Sequence, residues 1–230
     1  MKTIGLIGGI TWHSTLDYYR LLNEEVNKKM GGSHAAKIIL NSLDFAEIKT
    51  LTEKEDWDAI AVIMCNAAKT VEAAGADCLM LGANTMHNIA DKVIAAINIP
   101  LIHIADATGE AIKIKNLKKI ALLGTKYTMQ MDFYKNRLLH YGISTMIPSI
   151  EDIEFINDSI YKEFSKGIFL PETKNRYLMI IDKLVAQGAE GIIFGCTEIP
   201  ILIKQSDCTV PVFDTAFIHS VAAADFALRY

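Results

Sequence analysis

The sequence predicts an α/β protein of two similar lobes, each a mostly parallel sheet flanked by helices and related by internal duplication. Two observations lead to this fold class. Short apolar runs alternate with segments of helical periodicity along the whole chain. Landmarks in the first half recur in the second half at a nearly constant spacing. Strands of a parallel sheet are buried on both faces, which explains why the apolar runs are continuous.

The predicted elements alternate in order. The first half offers the strands TIGLIG, AKIILNSLD, CLMLG and IPLIHI, separated by the helical patterns DYYRLLNEEVNKKM, DWDAIAVIMCNAAKTVEAAG and MHNIADKVIAAI and followed by ATGEAIKIKN. The second half offers the strands KIALLG, STMIPS, GIIFG and VPVFD, with the helices MQMDFYKNRLLHYG and ETKNRYLMIIDKLVAQG. The last helical pattern, TAFIHSVAAADFALRY, is expected to return to the first lobe. We therefore predict one lobe from residues 1–98 and 212–230, and another from residues 99–211.

The internal repeat is clearest where an apolar run ends in a glycine and a polar turn. GADCLMLGANT at 75–85 and GAEGIIFGCTE at 188–198 superpose with a constant spacing of 113 positions, which sets Ala83 on Cys196. Three further landmarks follow at similar spacings: IGLIGG with IALLGT, DYY with DFY, and Pro100 with Pro211. Ligands of open α/β sheets bind beyond the carboxyl ends of the strands. The repeat thus predicts one active site in a cleft between the two lobes.

The composition of the chain argues against several classes of function. The net charge of −4 argues against a nucleic-acid surface, which needs a basic face. No apolar run reaches the ~18 to 20 residues that span a bilayer, and no signal-peptide pattern opens the chain. Four cysteines without CxxC spacing suit free thiols in a reducing cytoplasm and no metal site. The glycine-rich GLIGGITW lacks nucleotide-binding spacing, so we expect a small-molecule ligand and no cofactor.

Cys196 is the main candidate for chemistry. It follows the apolar run GIIFG and precedes a segment with Pro200, a residue well tolerated in a first helical turn. The dipole of a helix that begins there would lower the pKa of the thiol. The alternative is a small buried core residue, because free cysteines are often buried. Its position after a strand-ending glycine favours the chemical interpretation.

Small polar residues occupy the other turns. At helix N-termini their hydroxyl, amide and backbone N–H donors can bind a carboxylate; plain N-capping is the alternative. His87 is an acid–base group or a structural helix residue, and we favour the structural role. The residues concerned are Asn84, Thr85 and Thr197, with Ser14 and Thr15 as another lip of the cleft or as caps of the first helix.

Five segments, spread over nearly the whole chain, resemble the aspartate/glutamate racemase family, which is cofactor-independent. They are IGLIGGITWHST, LNSLDFAEI, GADCLMLGANTMH, VPVFDTA and GAEGIIFGCTEIPIL. The resemblance implies two lobes with the active site between them, and acid–base residues on opposite faces of the substrate α-carbon. Both are usually cysteines. Cys196 fills the second position and Ala83 stands at the first, whether as a natural or an engineered residue.

The resemblance also implies how the substrate is held. Asn84, Thr85 and Thr197, with Thr125 as a weaker match, would bind the α-carboxylate. Lys49 and Lys166 would bind an acidic side chain; for each, an ordinary solvated lysine is the alternative. The family commonly forms homodimers, so a homodimer is expected.

Because Ala83 has a methyl group where the resemblance implies an acid–base group, three hypotheses for the function remain open. A positioned acid–base group contributes ~10² to 10⁴-fold, so its loss should cost two-base racemisation on the order of 3 to 5 kcal/mol. The first hypothesis is a slow or one-sided racemase of aspartate, glutamate or another amino acid. The second is a decarboxylase of a malonate-type acid, which needs one cysteine. The third is a non-catalytic protein that binds an acidic amino acid.

Overall fold

The computed structural model describes residues 1–229, which divide into two compact units. Unit 1 comprises Met1–Ile104 and the segment from His219 onward, and unit 2 comprises Ala105–Ile218. The boundaries predicted from the sequence, after residues 98 and 211, stay a prediction of how the lobes divide. Within residues 1–229, no helix combines the length and apolar character needed to cross a membrane.

Unit 1 is built on a three-stranded parallel sheet of order β2-β1-β3. Its core is a cluster of buried aliphatic side chains that includes Ile7, Ile60 and Leu81. The elements are β1 (Ile4–Gly8), α1 (Trp12–Met30), β2 (Ile38–Ser42), α2 (Phe45–Glu53), α3 (Trp57–Ala73), β3 (Cys78–Leu81), a 3-10 helix (Thr85–Ile89) and α4 (Ala90–Ala96).

Unit 2 is built on a four-stranded parallel sheet of order β5-β4-β6-β7. Its core includes Leu123, Tyr177 and Phe194. The elements from α5 to the C-terminal helix are α5 (Ile104–Ile114), β4 (Lys119–Gly124), α6 (Lys126–Gln130), α7 (Asp132–His140), β5 (Ser144–Met146), α8 (Ile150–Lys162), a 3-10 helix (Phe164–Lys166), α9 (Pro171–Ala186), β6 (Gly191–Gly195), α10 (Ile199–Leu202), a 3-10 helix (Gln205–Asp207), β7 (Val212–Asp214) and α11 (Thr215–Leu228). The predicted class, α/β with two parallel sheets flanked by helices, is confirmed.

The strand order shows that the sequence repeat is also a structural repeat. β1, β2 and β3 correspond to β4, β5 and β6. In each set of three, the first strand along the chain lies between the other two. The predicted strand IPLIHI is wrong as a strand, because it forms only one parallel bridge, between Leu79 and Leu101, before α5 begins. That bridge occupies the place of β7. The Leu79 N–H donates to the Pro100 carbonyl at 2.9 Å, and the Ile192 N–H donates to the Pro211 carbonyl at 2.9 Å.

Burial corrects one landmark of the repeat. The sequence pairs Tyr19 with Tyr134, but Tyr19 is 56% exposed whereas Tyr18 and Tyr134 are fully buried. Each buried tyrosine donates its hydroxyl inside its own unit, Tyr18 to His219 and Tyr134 to Thr108. The equivalent residues are therefore Tyr18 and Tyr134, at the same spacing as β1 and β4.

Helix α8 was not predicted from the sequence. Its buried face repeats at helical spacing through Ile153, Ile156 and Ile160, and Ser149 caps its N-terminus by accepting from the Asp152 N–H. A serine followed three residues later by an acidic residue was the available start signal. Helix α2, which follows β2 within the segment LNSLDFAEI, was not predicted either.

Candidate functional site

In unit 1, the turns after β1 and β3 lie side by side because the two strands pair. The Gly82 N–H, just past β3, donates to the Ile7 carbonyl at 2.8 Å. Ser14 and Thr15 lie in the first turn of α1, just after the β1 turn, and are buried. The Thr15 hydroxyl accepts from the Gly9 N–H at 2.8 Å, and Thr11 is the N-cap of α1. Ser14 and Thr15 therefore shape the turn as structural groups, whatever else they bind.

The β3 turn presents three of the predicted residues in succession. Ala83 is partly exposed, whereas Asn84 and Thr85 are buried. Asn84 stands at the N-cap position of the 3-10 helix, yet its side chain makes no capping hydrogen bond there. The N-capping alternative for Asn84 is thus wrong. Its role in binding a carboxylate stays a prediction.

His87 makes hydrogen bonds to the backbone of the turn that follows β3. The Asn84 carbonyl accepts from the backbone N–H of His87 at 3.0 Å, and the Nδ1 of the ring lies 3.0 Å from the Ala83 carbonyl. Nε2 accepts from the Ile104 N–H at 3.3 Å. Burial, and then the neighbouring histidines His103 and His219, lower the pKa of His87 well below its ordinary value. The structure supports the structural role predicted for this residue.

Unit 2 brings Thr125, Cys196 and Thr197 to adjacent strand ends. Gly124 ends β4 and pairs with Gly195 at the end of β6. The two backbones approach so closely that a Cβ on Gly124 would lie 2.7 Å from the Gly195 carbonyl oxygen. Thr125 caps α6 by accepting from the Thr128 N–H at 3.3 Å. The glycines therefore allow the two turns to pack against each other, and capping is one role of Thr125.

The Cys196 thiol donates to a carboxylate. Its Sγ lies 3.0 Å from Oε2 of Glu198, and the Thr197 hydroxyl donates to the same oxygen at 2.8 Å. Glu198 is buried, and Cys196 is 8% exposed at the edge of the unit 2 core. Cys196 is thus packed in the unit 2 core and hydrogen-bonded through its thiol, and its role in chemistry stays a prediction.

The expected effect of a helix dipole on Cys196 is wrong. Burial, then the charge of Glu198 and its hydrogen bond, raise the pKa of the thiol well above its ordinary value. The backbone N–H groups of Thr197 and Glu198 act in the opposite direction. The helix that follows, α10, has only four residues. Its dipole is too short to outweigh a neighbouring carboxylate.

The two predicted lysines lie on helical segments. Lys49, on α2, is partly exposed and its Nζ lies 3.8 Å from the Glu53 carboxylate. Lys166 ends the 3-10 helix that follows α8 and is exposed. Their roles in binding an acidic side chain stay predictions.

Comparison with known proteins gives the family. A family model for Asp/Glu/hydantoin racemases matches residues 7–223. The chain belongs to the Asp/Glu/hydantoin racemase family. The predicted family and enzyme class, an amino acid racemase among the isomerases, are therefore confirmed.

Two solved structures resemble this racemase-family chain over its full length. A candidate Asp/Glu racemase from Yersinia pestis is 49% identical with a TM-score of 0.93, and an aspartate racemase homologue from Pyrococcus horikoshii is 37% identical with a TM-score of 0.85; each comparison covers 100% of both chains. A broad specificity amino-acid racemase of Bacillus subtilis is 22% identical over 99% of both chains.

Sequence reasoning missed the partner of the thiol in this racemase-family chain. Glu198 belongs to the GCTE motif, and a carboxylate two residues after a cysteine was the signal that could have found it. The structure joins the two side chains by one hydrogen bond just before the short helix α10. The thiol at the end of β6 is thus one half of a pair, Cys196 with Glu198.

Proposed function

We propose that this protein is a cofactor-independent amino acid racemase of aspartate or glutamate in which Cys196 is the working thiol. The observation that carries the proposal is the hydrogen bond from the Cys196 thiol to the buried carboxylate of Glu198 at the end of β6. Membership of the racemase family supplies the reaction class.

Glu198 gives the thiol a route to its reactive form. At neutral pH the thiol holds its proton, because burial and Glu198 raise its pKa. Transfer of that proton to the Glu198 carboxylate leaves a thiolate, which takes the α-proton of the amino acid and becomes a thiol again. The electron pair of the broken C–H bond stays on the α-carbon. The thiol proton exchanges with solvent and returns to that carbon, and the thiolate then takes back the proton held by Glu198, which completes one exchange.

Position 83 decides whether exchange becomes racemisation. Inversion requires a proton to reach the opposite face of the α-carbon. The family resemblance implies a second acid–base group for that task, and its position, which the repeat aligns with Cys196, is residue 83. A methyl group cannot deliver a proton, so water beside Ala83 would have to do so. We therefore propose a one-sided enzyme, in which exchange with solvent by Cys196 is faster than net racemisation.

The substrate-binding residues proposed are the polar groups of the strand-end turns. Asn84 and Thr85 in unit 1, with Thr125 and Thr197 in unit 2, offer donors for the α-carboxylate. Ser14 and Thr15 are proposed as a further part of the binding site, and Thr15 also accepts from the Gly9 N–H. Lys49 and Lys166 are proposed to select an acidic side chain. On the family resemblance we also propose a cytoplasmic homodimer, whose mass light scattering measures.

The test is proton NMR in heavy water with a panel of L- and D-amino acids. For one enantiomer of aspartate or glutamate, the α-proton signal should disappear faster than the opposite enantiomer forms, which polarimetry measures. Cys196→Ala should abolish the exchange. Cys208→Ala, which removes a partly buried thiol of the same unit, should leave it intact. Exchange that survives in Cys196→Ala would contradict the proposal.

The same protein samples distinguish the racemase from the two alternative functions, a decarboxylase and a non-catalytic binding protein. Release of carbon dioxide from a malonate analogue without amino acid exchange would indicate the decarboxylase, which also needs only one thiol. Saturable binding of aspartate or glutamate, measured by calorimetry, without exchange or carbon dioxide release would indicate a binding protein.

A further inference from the structure

The hydrogen bonds of His87 fix the tautomer of its ring. Nε2 accepts from the Ile104 backbone N–H, so it carries no proton. The proton must then reside on Nδ1, which donates it to the Ala83 carbonyl 3.0 Å away. Both nitrogens of a neutral imidazole are used, and the ring is 2% exposed. His87 is thus a fixed donor to residue 83, the position that the repeat aligns with Cys196.

Unit 2 holds the equivalent carbonyl differently. The Cys196 carbonyl accepts from the backbone N–H of Ile199 at 3.2 Å. The position equivalent to His87 at the spacing of 113 is Pro200, which has no donor to offer. Of the two turns, only that of unit 1 has a side chain at this position that reaches back to the carbonyl. The placement of residue 83 therefore depends on a side chain that can be replaced, whereas that of Cys196 depends on backbone.

The surroundings keep the His87 donor in one state. The ring lies 4.6 Å from that of His103 and 5.7 Å from that of His219, centroid to centroid. His219 is itself held, with Nε2 2.6 Å from the Ile102 carbonyl and Nδ1 3.1 Å from the Tyr18 hydroxyl. A second proton on His87 would break its bond from Ile104 and face these buried rings. The donor to Ala83 is accordingly present throughout the neutral range.

We propose that His87 is a positioning residue, which fixes the turn of residues 83–85 through the Ala83 carbonyl and so presents Asn84 and Thr85 to the substrate carboxylate. The idea rests on the proposed function for its substrate, but the geometry that it claims is independent of catalysis. An interaction made alike with substrate and transition state changes KM more than kcat. Loss of the bond to Ala83 should therefore act mainly on KM.

Two amide substitutions of His87 distinguish the effects of the two hydrogen bonds that its ring makes. In His87→Asn the amide nitrogen takes the place of Nδ1 and keeps the donor to Ala83, whereas the acceptor for Ile104 is lost. In His87→Gln the amide oxygen reaches the place of Nε2 and keeps the acceptor for Ile104, whereas the donor to Ala83 is lost. We expect His87→Gln to raise KM for exchange about fivefold, the factor of one neutral hydrogen bond, with kcat changed less than about twofold. His87→Asn should restore most of the affinity.

His219→Ala is the control for stability, because it removes another buried ring of the cluster without touching residue 83. It should lower the midpoint of thermal unfolding and leave KM near that of the wild type. If His87→Gln and His87→Asn raise KM equally, or if His219→Ala raises it as much, His87 acts only through stability and the proposal is overturned.

Two measurements test the geometry even if no amino acid is exchanged. The ¹⁵N shifts of the ring should show a proton on Nδ1 and none on Nε2 between about pH 6 and 8; a proton on Nε2 would overturn the proposal.

In an Ala83→Cys background, iodoacetamide alkylates the thiol introduced at position 83, and peptide mass spectrometry resolves its rate. That rate should change more than about threefold on adding His87→Gln and less than about twofold on adding His87→Asn. Equal rates in all three proteins would also overturn the proposal. Absence of exchange in the wild type, with these results intact, would count against the proposed function alone.

Discussion

Replacement of His219 by glutamine should remove the contribution of this residue to the acid sensitivity of unit 1. His219 is fully buried, and its pKa is lowered to about 4 from the ordinary value of 6.5, chiefly by burial. The unfolded chain therefore binds a proton at a pH where the folded chain does not. Stability from this group is complete above the unfolded pKa and is lost as the pH falls from 6.5 toward 4.

The magnitude follows from the two pKa values. A difference of about 2.5 units corresponds to about 3.4 kcal/mol over the whole range, at about 1.36 kcal/mol for each unit. Between about pH 7.5 and pH 5 the wild type should lose about 2 kcal/mol through His219. In His219→Gln this loss disappears, since an amide does not titrate, and the amide can still donate to the Ile102 carbonyl as Nε2 does. The variant should thus gain about 2 kcal/mol on the wild type as the pH falls.

Urea unfolding followed by tryptophan fluorescence measures this change in the correct unit, because both tryptophans, Trp12 and Trp57, lie in unit 1. Tyr18→Phe is the control: it removes the hydroxyl that donates to His219 but keeps the ring buried. Since burial is the main cause of the shift in the pKa of His219, this variant should lose stability with pH as the wild type does. A free-energy difference between wild type and His219→Gln that is the same at both pH values would refute the reasoning.

Three further outcomes are expected. Ala83→Cys should raise racemisation of the correct substrate at least ~10-fold, measured by polarimetry, because it supplies the missing acid–base group; no gain with substrate bound would contradict the assignment of position 83. Glu198→Gln should lower the pKa of the Cys196 thiol, since a neutral amide no longer opposes the thiolate, and iodoacetamide should then alkylate Cys196 faster at about pH 7.5. An unchanged rate would show that Glu198 does not control the thiol. Thr125→Ala should reduce the free energy of unfolding by about 1 kcal/mol in urea, through loss of the cap that accepts from the Thr128 N–H; an unchanged midpoint would show that the cap is not needed.

The repeat made the two sheets predictable from the sequence. Alignment of Gly82 with Gly195 places Ala83 and Cys196 at equivalent strand ends, because glycines mark the close approach of neighbouring turns. The sequence could not show that IPLIHI forms a single bridge, since an apolar run of six residues suits a strand as well as the entry to a helix. Here α5 begins at Ile104 and leaves no room for a longer strand.

Side-chain partners could not be predicted from the sequence where they depend on folding. His87, His103 and His219 are separated along the chain, and only the packed unit brings their rings together. The prediction for the pKa of Cys196 was wrong for a related reason. A cysteine after a strand suggests a helix dipole, but the length of α10 and the direction of the Glu198 side chain decide which influence is larger.

The repeat shows that unit 1 lacks more than a thiol. At the spacing of 113, Cys196 corresponds to Ala83 and Glu198 corresponds to Thr85, so the thiol and the carboxylate that accepts its proton are both replaced. A cysteine placed at position 83 would have no adjacent carboxylate to raise its pKa, and Ala83 is less buried than Cys196. Its thiolate should therefore form at a lower pH than that of Cys196. The single change Ala83→Cys is then sufficient to supply a base, and Thr85→Glu added to it should raise the pKa of the new thiol and slow its alkylation by iodoacetamide at about pH 7.5. Faster alkylation in the double variant would contradict this account of the pair in unit 2.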